Sequence, residues 1–513
     1  MLMLARGRST TALRTQTLAQ GVALLLALAV VQRLVGFVRG VLFCRWLDAD
    51  QLGRWDLANG FIMFAAPLAV LGLPGSLGRY AEVFRRQGRL RAFLRCIAGG
   101  SLLLAATAGG LTLLGQNWLS QFVFGGRDQA WLMALLAGGL SLWMIHTLLT
   151  SVFNALRMTR EVALLQFCHS LAFAALGCSL LTASGPTAES VVWAFGGACL
   201  AAVMLGCCWL GRAWPALHDA PAGSSSESTT KAPRIVAFAF WVWTTNVLAN
   251  LFGVTDRWML VRFSGLTEAD ALAAIGQYHS ARLAPLLFFG IAEMLAGLIT
   301  PHLAHDWEAG RRAEVSRRLN LILKLFAAGL CLAAVAALHV APLLFNSVWA
   351  GKYAAGLALL PWTLLYCIWG SLAVVATNYL WCAERARLAS LALTIALVIN
   401  VGLNAMLLPR WGIFGAVLAT SAANLAMLAA MYAAAWRCGM TFDAGFCIVS
   451  LAPVAIVCGP WSGLVMLFTL VLLACRGELI LNRGEKKILR KAALTSVGDA
   501  LRGVPRRNSA TAP

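Results

Sequence analysis

Residues 412–436 have the sequence GIFGAVLATSAANLAMLAAMYAAAW, which contains no charged side chain. Arg410 and Arg437 flank the stretch on its two sides. About 20 apolar residues are enough for a helix to cross the hydrocarbon core of a membrane. The strands of a membrane barrel alternate in polarity, whereas this run is apolar throughout. Because helices satisfy every backbone group inside lipid, the stretch predicts a membrane-spanning α-helix.

The whole chain has the composition of such helices. Of its 513 residues, 60% are hydrophobic and 12% are charged, and the mean hydropathy is +0.77. A soluble domain is roughly 45–50% apolar and about 25% charged. These values exclude a disordered chain, a disulfide-rich secreted domain and an ordinary cytosolic enzyme. They predict an all-α polytopic membrane protein.

Apolar runs long enough to span a membrane recur along the sequence, and we count about fourteen of them. They lie near 19–43, 55–73, 92–114, 129–153, 160–183, 189–211, 236–261, 275–299, 320–343, 357–380, 387–408, 412–436, 443–458 and 461–475. The first run continues past Arg33 without a cleavage site, so we interpret it as a span and not as a signal peptide.

The basic residues predict the orientation of these spans. Lys and Arg outnumber Asp and Glu by 41 to 21, which gives a net charge of +20. Cytoplasmic loops of membrane proteins carry the excess of Lys and Arg. With the N-terminus in the cytoplasm, the clusters at 79–91 and 311–318 fall on the cytoplasmic side, and the opposite side holds few arginines. We therefore predict a multi-pass protein with both termini in the cytoplasm.

A stretch rich in Pro and Ser divides the chain into two halves. Stretches of this composition are typical of flexible linkers. We predict an N-terminal lobe at 1–213, a cytoplasmic linker at 214–234, a C-terminal lobe at 235–437, two further helices at 438–476 and a basic cytoplasmic tail at 477–513.

The two predicted lobes share short motifs. Leu52-Gly53-Arg54-Trp55 recurs in the second half as Ile275-Gly276-Gln277-Tyr278. Pro74 after the second span matches Pro301 after the eighth. These matches indicate a parallel pseudo-repeat of two six-helix lobes, an arrangement typical of transporters with a central site between the lobes.

Ionisable side chains within the spans are the main candidates for function, because a charge at the centre of a membrane helix costs about 2.5–3.5 kcal/mol on insertion scales. The candidates are Arg33 and Arg39 in the first span, Asp256 and Arg257 in the seventh, and Arg282 and Glu293 in the eighth. Asn246 and Asn250 share one face of the seventh span with Arg257. Two acids do not neutralise four arginines, so the surplus predicts a site for an anion, and guanidinium groups suit phosphate oxygens.

Several of these assignments have alternatives. Arg39 and Arg257 lie near predicted helix ends, where a side chain can also snorkel to the membrane interface. Asp256 either forms a structural ion pair with a neighbouring arginine or takes part in coupling. Glu293 either binds a coupling ion or pairs with a residue on another helix, and we favour the pairing.

Five motifs distributed over most of the chain resemble those of one transporter family. They are Leu52-Gly53-Arg54-Trp55, Leu71-Gly72-Leu73-Pro74-Gly75, Asp256-Arg257-Trp258-Met259-Leu260, Tyr278-His279-Ser280-Ala281-Arg282-Leu283 and Gly412-Ile413-Phe414-Gly415-Ala416. The family is the polysaccharide-transporter branch, or O-antigen-type flippases, of the multidrug/oligosaccharidyl-lipid/polysaccharide exporter superfamily. The stretch from Arg33 to Arg39 is also similar to the first helix of lipid II flippases, a sister branch, but much of that branch's remaining pattern is absent.

The resemblance implies a V-shaped core of two six-helix lobes, with two added C-terminal helices, in the cytoplasmic (inner) membrane. It implies that alternating access moves an undecaprenyl-pyrophosphate-linked oligosaccharide from the inner to the outer leaflet, for lipopolysaccharide O-antigen or exopolysaccharide synthesis. An ion gradient or the membrane potential would drive this movement. Arg33, Arg39, Arg257 and Arg282 would contact the anion, and Arg79 would meet the headgroup first.

The expected partners are the lipid-linked oligosaccharide, membrane lipids and the polysaccharide polymerase machinery. We expect no nucleic acid, cofactor or metal, and we expect a monomer. One alternative function is a multidrug/cation antiporter of the same superfamily, which would need an acidic cavity. The other is a membrane enzyme acting on lipid-linked sugars, but such enzymes usually need large outer loops, and the predicted outer loops of this chain are short. The sequence also contains neither GxxxxGK[ST] nor HExxH, and we predict no enzymatic activity.

Overall fold

The computed structural model describes residues 18–72, 77, 81–82, 84–85, 87–217, 232–487 and 489–490. All regular secondary structure within these residues is helical. The helices are α1 (Leu18–Trp46), α2 (Ala49–Ala69), α3 (Leu90–Leu114), α4 (Gln116–Val123), α5 (Ala130–Ala155), α6 (Thr159–Ala183), α7 (Ala188–Ala213), α8 (Ala232–Phe263), α9 (Glu268–Arg282), α10 (Leu286–Glu308), α11 (Arg312–Leu343), α12 (Ala354–Cys382), α13 (Ala386–Arg437), α14 (Ala444–Leu451) and α15 (Pro460–Arg476).

Within the described residues, nine helices are long and apolar enough to cross a membrane. One of them, α13, has 52 residues and is broken at Gly412, whose φ of 51° and ψ of −132° are not helical. Its two halves match the eleventh and twelfth predicted spans. The other predicted spans also fall on helices, with the thirteenth formed by α14 and a 3₁₀ extension at Ala452–Cys458. The prediction of an all-α polytopic membrane protein is confirmed.

The eighth predicted span, 275–299, consists of two helices instead of one. Helix α9 ends at Arg282, and α10 begins at Leu286 after a short turn. Pro285 lies in this turn, and proline lacks the backbone N–H that a continuous helix requires. The break places Arg282 at a helix end in the interior of the molecule.

Helix α2 of the first lobe lies against the second lobe, where it contacts both α8 and α9. The largest cluster of buried hydrophobic residues extends through both lobes, and two smaller clusters lie in the first lobe. Helix α8 begins at Ala232, which is inside the predicted linker 214–234, and 218–231 lie outside the described residues.

The turns that follow α1 and α8 meet at one end of the molecule, which we call the tight end. Here α2 crosses α9 so closely that a Cβ atom at Gly53 would collide with the carbonyl oxygen of Leu272. A Cβ atom at Gly276 would likewise collide with the carbonyl oxygen of Ala49. Leu272 lies 223 positions after Ala49, and Gly276 lies 223 positions after Gly53. The two contacts are therefore reciprocal in the repeat. Small residues allow helix backbones in membranes to approach in this way.

The connection between α11 and α12 closes the tight end on another side. The indole of Trp349 donates a hydrogen bond to the carbonyl oxygen of Val41 (3.0 Å), and the hydroxyl of Tyr353 donates to that of Leu47 (2.9 Å). Both aromatic side chains are fully buried. These bonds attach the end of α1 in the first lobe to the second lobe.

The segment after α15 folds back onto the helices through a buried lysine. Lys324 of α11 is 2% exposed, and its Nζ lies 2.5 Å from Asp443 Oδ2 and 3.1 Å from Glu485 Oε2. The side chain of Ile480 is buried beside them. The beginning of the predicted tail 477–513 is therefore fixed to the protein, while 491–513 lie outside the described residues.

Replacing Lys324 with methionine is expected to destabilise the protein, because removing one partner of a buried ion pair costs about 3–5 kcal/mol. For a chain of this size we expect the melting temperature in detergent to fall by roughly 3–5 °C. The matched control is Lys487→Met, which changes an exposed lysine of the same segment. Equal melting temperatures for the two variants would contradict the structural role of Lys324.

Candidate functional site

A buried ion cluster joins the two lobes beside the tight end. Asp56 of α2 is 3% exposed. Its Oδ1 atom lies 3.0 Å from Arg257 Nη1 and 2.8 Å from His279 Nδ1, and its Oδ2 atom lies 3.7 Å from Arg282 Nη1. One carboxylate of the first lobe thus contacts three basic side chains of the second lobe.

Asp256 forms the second acidic centre of the ion cluster. Its carboxylate accepts hydrogen bonds from the hydroxyl of Tyr278 (2.7 Å) and the backbone N–H of Arg257 (2.8 Å). The hydroxyl of Thr420 donates to it at 3.4 Å and accepts a hydrogen bond from Asn400. These bonds connect α8 to α9 and α13, so Asp256 organises the second lobe, whereas Asp56 crosses between lobes.

The formal charges of Asp56, Asp256, Arg257 and Arg282 cancel, and His279 adds a positive charge only when it is protonated. The hydrogen bonding of the cluster is incomplete. Asp56 Oδ2, Arg257 Nε and Arg282 Nε make no hydrogen bond within the described part of the chain. A partly satisfied buried network is less stable than a complete one. The ion cluster therefore has unused hydrogen-bonding groups at the contact between the lobes.

Asp56 and His279 are also counterparts in the repeat, since they lie 223 positions apart like the paired glycines. Their direct contact places the ion cluster on the approximate twofold axis that relates the lobes. Asp56 is a residue that the sequence reasoning missed. Its distance from His279 in the repeat is the signal that could have identified it.

A cavity of about 410 Å³ lies beside the ion cluster, inside the second lobe. Asp256, Tyr278 and Arg282 line it at the cluster, and Glu293 lines it along α10. Trp381, near the end of α12, also contributes to its wall. The ion cluster therefore borders two spaces, the interface between the lobes and this cavity, which we call the lobe cavity.

A family profile described as polysaccharide biosynthesis protein matches residues 18–290, more than half of the chain. The chain belongs to this family. The match extends from α1 to the beginning of α10, so it includes every residue of the ion cluster. A comparison with curated protein sequences finds no match.

Solved structures show that this polysaccharide biosynthesis family member shares its fold with known transporters. The lipid II flippase MurJ in an inward closed conformation is 14% identical, with a TM-score of 0.68 over 88% of this chain and 99% of that chain. An inward-facing multidrug resistance MATE family transporter of the MOP superfamily is 13% identical, with a TM-score of 0.60 over 80% of this chain and 96% of that chain. The resemblance that the motifs indicated is confirmed by the match to the polysaccharide biosynthesis family and by the fold shared with these two transporters.

The structure brings together only part of the predicted site of this family member. Arg257, Arg282 and Asp256 meet in the ion cluster. Arg33 instead forms an ion pair with Glu293 across helices, at 3.7 Å, which is the pairing that we favoured for that glutamate. Arg39 lies 4.1 Å above the ring of Phe173 in its own lobe.

The remaining predicted site residues lie elsewhere. The side-chain amide of Asn250 donates hydrogen bonds to the backbone and side-chain oxygens of Asn246, one turn away. Neither residue lines the lobe cavity. Arg79 lies outside the described residues. The roles of Arg33, Arg39 and the two asparagines in substrate binding stay predictions.

The predicted charge balance of the spans requires a correction. The sequence predicts two acids against four arginines, but the buried carboxylate of Asp56 is a third acid. The excess of positive charge is therefore smaller than predicted. Arg257 is only 5% exposed and turns towards Asp56, so it does not snorkel to the interface. The reason is that a neutralising partner inside the protein makes burial of this guanidinium tolerable.

Proposed function

We propose that this protein is a flippase that moves an undecaprenyl-pyrophosphate-linked oligosaccharide from the inner to the outer leaflet of the cytoplasmic membrane by alternating access. The observation that carries the proposal is the contact of Asp56 with Arg257, His279 and Arg282 across the two lobes. The family match and the shared fold support a transporter, and the ion cluster supplies a mechanism that suits an anionic substrate.

In this mechanism Asp56 occupies the places that substrate phosphates would take. Guanidinium groups bind carboxylates and phosphates with the same forked geometry. A diphosphate that reaches Arg257 and Arg282 therefore competes with Asp56 and weakens the attachment of the first lobe to the second. Because a ligand shifts a conformational equilibrium by its difference in affinity for the two states, the substrate would favour separation of the lobes at the tight end.

The predicted orientation places the tight end on the outer side of the membrane, since the basic loops lie at the opposite ends of α2 and α8. The structure then corresponds to a state that is closed towards the outside. Opening of the tight end would release the headgroup there, and Asp56 would displace the diphosphate when the lobes close again. An ion gradient or the membrane potential would supply the direction, with the potential acting on the charged groups of the ion cluster.

A cation antiporter is the second candidate, and one observation favours it. Asp256 and Glu293 both line the lobe cavity, against the single guanidinium of Arg282. An acidic cavity suits an organic cation. The two candidates differ in the charge of the molecule that moves, so transport assays with lipids and dyes distinguish them.

We expect proteoliposomes with the unmodified protein to move a fluorescent undecaprenyl-pyrophosphate oligosaccharide across the bilayer. Arg257→Ala and Arg282→Ala should each reduce the rate roughly 10- to 100-fold, because each removes charged hydrogen bonds to the diphosphate. Arg262→Ala is the matched control, since Arg262 lies on the same helix outside the ion cluster and donates to the carbonyl oxygen of Gln121.

Two further results bear on the proposal. Arg39→Ala tests the wider site that was predicted from sequence. If this variant still transports the lipid, the anion site is limited to the ion cluster. Efflux of a cationic dye without movement of the lipid would refute the flippase and favour the antiporter.

A further inference from the structure

A second and larger cavity, of about 1180 Å³, lies where the ends of α10, α11, α12 and α13 meet. We call it the arginine basin. Its charged lining residues, all exposed, are Arg312, Arg385, Arg387, Arg437, Glu308 and Glu384. By the predicted orientation this end of the second lobe faces the cytoplasm.

The arginine basin is positively charged, because four guanidinium groups face two carboxylates. Within the part of the chain that the structure describes, Arg385 and Arg437 form no ion pair. The guanidinium carbon of Arg312 lies 5.1 Å from the ring of Trp307. The guanidinium groups of Arg385 and Arg437 are thus available to a ligand.

The turn between α12 and α13 determines the shape of the basin. Glu384 adopts a left-handed backbone conformation with φ of 55°, and the backbone N–H of Arg385 donates to the carbonyl oxygen of Leu380 at 2.8 Å. This bond closes the end of α12 in the manner of a helix C-cap. Residues other than glycine adopt this conformation at a cost, yet here it places Arg385 and Arg387 on the same rim.

The arginine basin adjoins the lobe cavity that leads to the ion cluster. Trp381 lines both spaces. Gly370 and Thr377 lie on the same face of α12 and line the lobe cavity. Tyr366, at the cluster end of the cavity, lies 15 residues before Trp381, or about 22 Å along the helix. The wall of the lobe cavity therefore extends from the ion cluster at one end to the arginine basin at the other.

The chemistry of the basin suits a phosphate-rich headgroup with an attached sugar. Arginines bind phosphate oxygens through paired hydrogen bonds, and Trp381, which is 54% exposed, presents an apolar surface beside them. The volume exceeds the roughly 300–1,000 Å³ of typical small-molecule pockets, so it is larger than a single phosphate requires. We propose that the arginine basin is a docking site for the diphosphate-sugar headgroup of the lipid-linked substrate before this headgroup reaches the ion cluster.

This proposal rests on the proposed function for the identity of the substrate, but binding is measured separately from transport. The probe is a water-soluble geranyl-diphosphate-linked disaccharide, titrated calorimetrically into the purified full-length protein. The double variant Arg385→Ala/Arg437→Ala should bind it at least tenfold more weakly than the unmodified protein. The matched control, Arg317→Ala/Arg476→Ala, removes two exposed arginines outside the basin and should bind it normally. Inorganic pyrophosphate should compete with the probe.

The outcomes separate this proposal from the proposed function. Equal affinity of the two double variants would overturn the docking site, and loss of lipid transport in Arg257→Ala would still support the flippase. Displacement of the probe by phosphatidylglycerol nanodiscs would assign the basin to membrane phospholipid and overturn the proposal. Equally effective competition by inorganic phosphate would also overturn it, because it would show no preference for a diphosphate. A loss of affinity confined to the basin variant would support the docking site.

Discussion

Asp56→Asn is expected to open the tight end and to slow lipid transport strongly. The substitution preserves the shape of the side chain but removes the carboxylate that pairs with Arg257 and Arg282 across the lobes. Loss of one partner from a buried charge pair costs about 3–5 kcal/mol. Because the lost contact exists only while the lobes are together, this energy is lost from the closed state. An equilibrium between closed and open states should then shift by 100-fold or more.

Hydrogen–deuterium exchange measures this shift in the native chain. Backbone amides in 49–56 and 268–282 should exchange faster in Asp56→Asn than in the unmodified protein, because their protection depends on contact between the lobes. Asp50→Asn is the matched control, since Asp50 lies on the same helix, where it pairs with Arg54 at 3.8 Å and accepts a hydrogen bond from the neighbouring Gln51. Unchanged exchange and transport in Asp56→Asn would refute both the closing role of the cluster and the competition mechanism.

A double-mutant cycle tests whether the cluster acts as a unit. Arg257→Gln should slow transport strongly by itself. In a chain that already carries Asp56→Asn, it should lower the transport rate by a smaller factor. Substitutions of residues in contact have free-energy effects that do not simply add, whereas the effects of substitutions at independent residues are additive. Simple additivity would show that Asp56 and Arg257 act separately.

Gly53→Ala and Gly276→Ala are expected to prevent full closure of the tight end. In each variant the new methyl group would collide with a backbone carbonyl oxygen of the other lobe. Rotation of a side chain cannot relieve a collision between a Cβ atom and the backbone, so the lobes must move apart. We expect transport to fall more than tenfold, with faster amide exchange in α9, while each lobe remains folded because the collision lies between lobes.

Gly138→Ala is the matched control for both glycine variants. Gly138 also lies within a membrane helix, but no atom lies within 4 Å of the position that its Cβ would occupy. Alanine favours helices over glycine by about 1 kcal/mol, so this variant should be at least as stable as the unmodified protein. Transport by Gly53→Ala at the rate of Gly138→Ala would show that the close crossing of α2 and α9 is not needed.

The helices were predictable from sequence because their cause is local. A run of apolar residues long enough to span lipid must form a helix wherever it lies in the chain, and 413–436 is helical as predicted. The interruption near Pro285 also has a local cause, since proline lacks the backbone N–H that a continuous helix requires, and the span predicted there consists of α9 and α10. The conformation of Gly412 also follows from a short segment, since only glycine adopts its φ and ψ readily.

The electrostatic partners were not predictable in the same way, because they lie far apart in sequence. The composition of 55–73 places Asp56 at the edge of a span, where an acidic residue would ordinarily meet water. Only the crossing of α2 with α9 buries this carboxylate against His279, 223 residues away. The pairing of Arg33 with Glu293 likewise depends on how α1 lies against α10.

The sequence by itself determined that this protein is a helical membrane protein of two repeated lobes, because the length of each apolar run and the spacing of the repeated motifs can be read directly from it. It also identified Arg257, Arg282 and Asp256 as charges that need partners inside the membrane. The tertiary structure alone decided which partners they have. A charge is neutralised by the nearest opposite charge in space, and that distance is set by the packing of helices from different lobes.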